Sequence, residues 1–238
     1  MNIKDSYNLV VYGDSITKGV VYDNERLKYS TLKDSFTNIV GTKIKGTVYN
    51  AGRFGNTIIR GVNRMYNEVM KKNPDIVLIE FGGNDCDFNW DDIAHDPDSE
   101  HKPKTDLLIF RETLINMISD LNKVNIVPVL MTLPPLDSKK YFKWVSKGDL
   151  SAEKNILHWL GTEDTIFNWH NSYNQIISEV ADKTKTVLID VRSEFLKYSD
   201  YTKFLCTDGI HPNKDGHSLI ASVVLDFINN NYNFLLQP

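Results

Sequence analysis

The chain has 238 residues, 41% of them hydrophobic and 24% charged, the usage of a globular protein with a sizeable core and not of a disordered one. With 27 basic against 31 acidic side chains and a formal net charge of −4, it lacks the basic footprint that a phosphate backbone requires, which excludes nucleic acid as the expected partner. The charged opening MNIKDSYNL, the lack of any apolar run near the ~20 residues of a membrane span, and only two cysteines, Cys86 and Cys206, lead us to expect a cytoplasmic protein with no membrane span, disulfide framework, metal or other cofactor.

Five segments of nearly continuous apolar character are expected to be buried strands: 7–12 (YNLVVY), 47–50 (TVYN), 75–81 (DIVLIEF), 126–133 (IVPVLMTL) and 186–191 (TVLIDV). Pro128 fits only at a strand's entry, because it removes a ladder donor. Helical stripes fall between the strands. Leu32, Phe36, Ile39 and Val40 follow the first strand, and Ile58, Val62, Met65, Tyr66 and Val69 follow the second. Leu107, Leu114, Met117, Ile118 and Leu121 precede the fourth strand, Tyr173, Ile176, Ile177 and Val180 precede the fifth, and Leu219, Ile220, Val223, Val224, Phe227 and Ile228 close the chain. These stripes are expected to face a core.

Alternating strands and helices imply right-handed βαβ units and one α/β domain over residues 1–238, with three α/β/α layers and a flavodoxin-like five-stranded parallel sheet of order 2-1-3-4-5. In that order the first and third strands are neighbours, and whatever follows them shares a crevice at their carboxyl ends. Two long connections, inserts at about 86–104 and 134–168, also leave carboxyl ends and are expected to wall that crevice.

Four short blocks carry residues suited to chemistry. Gly13-Asp14-Ser15 ends the first strand, where a hydroxyl on a sharp exit suits attack on a carbonyl; the same tripeptide is also an ordinary turn. NAGRFGNT at 50–57 places Gly55 before a helix start, either to present an unobstructed N–H or only to make a βα turn. FGGNDC at 81–86 projects Asn84 toward Ser15, and it too is turn chemistry. TDGIHPNKDG at 207–216 spaces Asp208 and His211 so that a carboxylate can orient an imidazole, unless it is a surface loop with an incidental histidine; Asn213 is a candidate cap for the last helix.

In this order, GDS, NAGxxGNT, GGND and DGIHP resemble the sequence blocks of the GDSL or SGNH hydrolase family of esterases, lipases and related acyl hydrolases, over about residues 7–228. The resemblance implies a nucleophile at Ser15, an oxyanion hole formed by the backbone N–H groups of Ser15 and Gly55 with the Asn84 side chain, and a base at His211 oriented by Asp208. It also implies the flavodoxin-like sheet. The first block reads GDSI where the family name has GDSL, a change at Ile16 that concerns packing.

The expected function is thus a serine esterase cleaving a small O-acylated substrate, with a short acyl group and a carbohydrate or other small-molecule alcohol. A thioesterase or lysophospholipase would use the same residues on longer chains, and a non-catalytic anion-binding module would use the glycine-rich turns alone. Phe88, Trp90, Trp144 and Trp159 are candidates for contact with substrate, or for a small satellite core that holds the inserts. His95 and His101 sit in an acidic stretch without metal-ligand spacing, and His158, His170 and His217 are expected at the surface or at helix caps.

Overall fold

The computed structural model describes residues 4–237. From β1 (Tyr7–Gly13) the chain enters a one-turn helix, α1 (Ser15–Lys18), then a hairpin of β2 (Val20–Asp23) and β3 (Lys28–Thr31), and α2 (Phe36–Gly41) leads into β4 (Gly46–Gly52). Next come α3 (Ile58–Glu68), β5 (Ile76–Glu80), α4 (Trp90–His95), α5 (Leu107–Lys123) and β6 (Val127–Met131). The remainder comprises α6 (Ser138–Val145), α7 (Leu150–Leu160), α8 (Asp164–Thr184), β7 (Val187–Ile189), α9 (Val191–Leu196) and α10 (Lys214–Tyr232).

The main sheet is parallel, with order β4-β1-β5-β6-β7. Counting only its own strands, that is the 2-1-3-4-5 arrangement expected from the sequence. Alternate side chains of β1 go to opposite cores. Val10 and Tyr12 pack with residues of α3, α5 and α8, while Leu9 and Val11 pack with residues of α2, α9 and α10, which makes three layers. Pro128 is tolerated because Val127 N–H already serves Asp75 O on the β5 side at 2.9 Å, and the β7 ladder begins only at Val129.

Several expectations are corrected. The β2–β3 hairpin had no place in the five-strand reading. The α3 stripe is displaced: Val62 is 37% and Tyr66 68% exposed, and Gly61 is buried instead, close enough to the Phe81 ring that a Cβ would meet it at 2.7 Å. The long connections are not bare loops. Residues 86–104 contain α4, and 134–168 fold into α6, α7 and the start of α8. Asp137 and Asp149 begin α6 and α7 by accepting two backbone N–H bonds each at the helix starts.

α4, α6 and α7 share a third apolar cluster of Phe88, Ile93, Leu136, Tyr141, Phe142, Ile156, Leu160 and Ile166. This cap has a fastened neck: Thr105 N–H donates to Asp85 O at 3.0 Å and Lys104 N–H to Asp87 O at 2.8 Å. Asn155 Nδ2 reaches Ala94 O at 2.8 Å, joining the two inserts to each other.

Candidate active site

Four connections place the site at the carboxyl edge of the sheet. β1 runs straight into α1, whose first residue is Ser15, and Asp14 caps that helix by accepting from Ile16 N–H at 2.8 Å. The turn between β4 and α3 brings Gly55, with φ 68°. The turn after β5 brings Asn84, whose Nδ2 donates to Asp14 Oδ2 at 2.9 Å. The loop before α10 brings Asp208 and His211, and Asn213 Oδ1 caps that helix by accepting from Asp215 and Gly216 N–H at 3.0 Å.

Ser15 and His211, 196 positions apart, meet with Oγ 2.9 Å from Nε2. On the other side of the ring, His211 Nδ1 lies 2.6 Å from Asp208 Oδ2. Asp208 Oδ1 accepts from the backbone N–H groups of Ile210 and His211, both at 3.1 Å. Burial works to raise the Asp208 carboxyl, but the bond to His211, its charge and the two backbone donors outweigh that and hold it below the usual range. A buried, ionised carboxylate thus fixes the imidazole orientation with the second ring nitrogen turned to a hydroxyl. Such an arrangement can accept the hydroxyl proton as an electrophile is attacked.

The loop is held from outside by the cap. Gly209 N–H bonds within the turn to Cys206 O at 3.1 Å, and Gly209 O accepts from Asp137 N–H at 2.8 Å, at the start of α6. Gly209 has φ 78°, and a Cβ there would lie 2.7 Å from Tyr141 N and 2.8 Å from Asp137 O, so both backbone conformation and close approach require glycine.

A cavity of about 680 Å³ opens over these residues, lined by Ser15, Gly55, Asn84 and His211 together with Phe88, Trp90, Trp144 and Trp159. Every site residue expected from the sequence except the buried Asp208 therefore borders one space. The four aromatic side chains also belong to the satellite core or pack on it: Phe88 meets Trp159 edge to face at 4.9 Å, and Trp90 Nε1 donates to Asp87 Oδ1 at 2.7 Å. The same side chains thus border the cavity and build the satellite core.

The sequence reading missed the aromatic lip. Tyr29 of the hairpin lies 5.2 Å from the His211 ring, and Phe54 stacks on it at 6.0 Å and 11°. Tyr22, across the hairpin from Tyr29, packs on Trp144 at 4.6 Å, linking the hairpin to the cap. The short run Val20-Val21-Tyr22 before Asp23-Asn24, with Tyr29 after it, was the available signal.

Two histidines expected at the surface are buried. His170, on the inner face of α8, borders the cavity beside the Arg192 guanidinium, and burial followed by that charge lowers it to about 3. His217 stacks on Phe36 and accepts from its N–H at 3.4 Å; burial, then the charge of His211, lowers it to about 4. Cys86 and Cys206 are both free and buried. Among the described residues no group of three His, Cys, Asp or Glu is placed to hold a metal ion, and no helix is long and apolar enough to cross a membrane.

The GDSL-like Lipase/Acylhydrolase family matches residues 11–219, from the end of the strand that delivers Ser15 through the cap and the Asp208–His211 loop. The chain belongs to that family and is, by class, a carboxylic ester hydrolase. A curated relative, named uncharacterized lipoprotein YqeF of Bacillus subtilis (strain 168), is 27% identical over 195 residues, 80% of this chain and 72% of that one. Among solved structures, a lipase/acylhydrolase from Enterococcus faecalis superposes with TM-score 0.69 at 23% identity over 98% of each chain. Axe2, an acetylxylan esterase from Geobacillus stearothermophilus, superposes with TM-score 0.66 at 20% identity over 99% of each. At these identities the two structures establish the shared fold.

Proposed function

We propose that the protein is a serine esterase that cleaves an O-acyl ester of a small molecule or carbohydrate through an acyl-enzyme. The observation that carries this reading is the continuous contact from Ser15 Oγ through His211 to Asp208, at 2.9 and 2.6 Å, at the floor of an aromatic-lined cavity. His211 Nε2 takes the Ser15 proton as Oγ attacks the ester carbonyl, and the resulting imidazolium, stabilised by Asp208, returns that proton to the leaving alcohol. Water then enters by the same path and releases the acid.

The oxyanion is received by the Ser15 and Gly55 backbone N–H groups and by Asn84. An amide nitrogen carries two N–H bonds; Asp14 engages one, and the other serves the cavity that Asn84 borders. A short acyl group suits the space beside Ser15, where Tyr29 and Phe54 at the lip crowd the His211 ring, with the alcohol portion against the cap aromatics. A cytoplasmic setting belongs to the same proposal, with two free thiols in its support and a relative named a lipoprotein against it.

The test is hydrolysis of p-nitrophenyl esters of increasing chain length. Highest kcat/KM on the acetate is expected. A steady rise toward long chains would replace this substrate reading with a thioesterase or lysophospholipase, and no turnover of any ester, with no phosphonate labelling, would leave an anion-binding module.

A further inference from the structure

Behind Ser15 two carboxyl groups are buried together. Asp14 is 1% and Glu80 0% exposed. Glu80 is the last residue of β5 and pairs in register with Gly13, one step before Asp14, so the two strand ends bury their side chains as neighbours, close enough for each to act on the other's ionisation. Glu80 Oε2 accepts from Thr17 Oγ1 at 2.8 Å and from Thr17 N–H at 3.3 Å, whereas Oε1 is buried with no donor. Asp14 is better supplied, with Ile16 N–H on Oδ1 and Asn84 Nδ2 on Oδ2. Among the described residues, no ion pair involves either carboxyl.

Two neighbouring carboxylates without a cation, closed off from water, are not both ionised. Asp14 holds two N–H donors that favour its charge. Glu80 has one oxygen that no donor reaches, an orphan if it is an acceptor but satisfied if it is an O–H directed at Asp14. We propose that Glu80 is a positioning residue: protonated, it donates to Asp14 and thereby fixes the carboxylate that holds the Asn84 amide and caps the helix carrying Ser15. This rests on the esterase reading for the role of Asn84.

The electrostatics agree. Burial, then the Asp14 charge, drives the Glu80 carboxyl well above the carboxylate range, against the Thr17 bond. Burial also raises Asp14, opposed by Ile16 N–H, the Glu80 bond, the charge of His211 and Asn84. The remaining acid of this neighbourhood is Asp85, which burial pushes up to about 7 and which also feels the Asp14 charge.

The experiment has two readouts. The first is the infrared carbonyl band of protonated carboxyl groups near the pH of turnover, compared between wild type, Glu80→Gln and Asp85→Asn. The proposal expects a band component that Glu80→Gln removes and Asp85→Asn leaves; a wild type without any such band overturns the proposal, whether or not any variant folds. The second is turnover of p-nitrophenyl acetate. Glu80→Leu, which keeps bulk but has no donor, is expected to lose about 10²-fold in kcat with KM unchanged, and Glu80→Gln, whose amide donates in place of the O–H, to recover to within about threefold of the wild type. Wild-type kcat in the leucine variant, or equal damage in both folded variants, overturns the positioning role. Phosphonate labelling of wild-type Ser15 is run alongside. Its failure would remove the esterase reading, while the infrared band still reports on the carboxyl pair.

Discussion

The three-layer framework and the cap are built on different principles. The central framework strands β1 and β5 are buried on both faces between two cores filled mainly by aliphatic side chains, and the residues around Ser15 sit at the framework's edge on short turns anchored by main-chain bonds. The cap rests on a small cluster rich in aromatic rings, a hydrogen-bonded neck at 85–87 and 104–105, and rim ion pairs such as Lys147–Asp91 and Lys143–Glu153. Exposed pairs of that kind contribute little stability. The difference divides the labour: the framework fixes the reacting groups, and the cap supplies the walls that meet the rest of the substrate. They are joined at Gly209, where the cap's Asp137 clasps the loop that carries Asp208 and His211.

Substitutions on each side of that seam should behave differently, and the largest effect is expected where the neck meets the framework. Asp85 accepts from Ile58 N–H through both carboxylate oxygens, at 3.0 and 3.2 Å, yet burial raises it from 3.8 to about 7. Between those values the native state keeps a proton that the unfolded chain has released. Stability therefore falls as pH rises through that window, by on the order of 4 kcal/mol from this group. Asp208, held below the ordinary range, acts in the opposite sense, its contribution being lost as pH falls through its lowered value. Urea unfolding should accordingly show greatest stability in mild acid, with a shallower decline toward neutral pH in Asp85→Asn; an unchanged slope in the variant would remove Asp85 as its source.

On the framework side, Asn84→Ala should lower kcat by about 10² to 10³, equivalent to about 3 to 4 kcal/mol, with little change in KM. Unaltered kcat would take Asn84 out of the oxyanion hole. At the seam, Gly209→Ala forces a Cβ against Tyr141 N and Asp137 O and should cost about 1 to 3 kcal/mol of stability. Its kcat loss should exceed what unfolding explains, measured as activity per labelled Ser15. The smallest effect belongs to the cap: Trp159→Ala should raise KM for an aryl or sugar ester by about tenfold, about 1.4 kcal/mol, with kcat on p-nitrophenyl acetate preserved. A loss confined to kcat would place that ring with the framework instead.

The same division explains what could be read from the sequence. The central strands β1 and β5 were legible because burial on both faces leaves apolar runs, and the order followed from the alternation of strands with helices; Ser15, Gly55, Asn84, Asp208 and His211 stood out because their four blocks, in that order, resemble those of a known family, each block alone reading as an ordinary turn. The α3 stripe misled because period alone assigned Val62 and Tyr66 to the core, whereas the Phe81 ring occupies that space and requires Gly61. The β2–β3 hairpin escaped because its strands are four residues each and mostly half-exposed. In the cap the Asp137 and Asp149 caps were present, but no long apolar stripe accompanied them. Glu80 stood in plain view at the end of IVLIE as the one acid of an apolar strand, and only the fold shows that Asp14 is its buried neighbour.

The most direct measurement of the central claim is intact mass after exposure to a fluorophosphonate, for wild type and Ser15→Ala. One phosphonyl adduct per wild-type chain, mapped to Ser15 and missing in the variant, is the predicted result. A folded wild type that remains unmodified, or equal modification of both proteins, would contradict it.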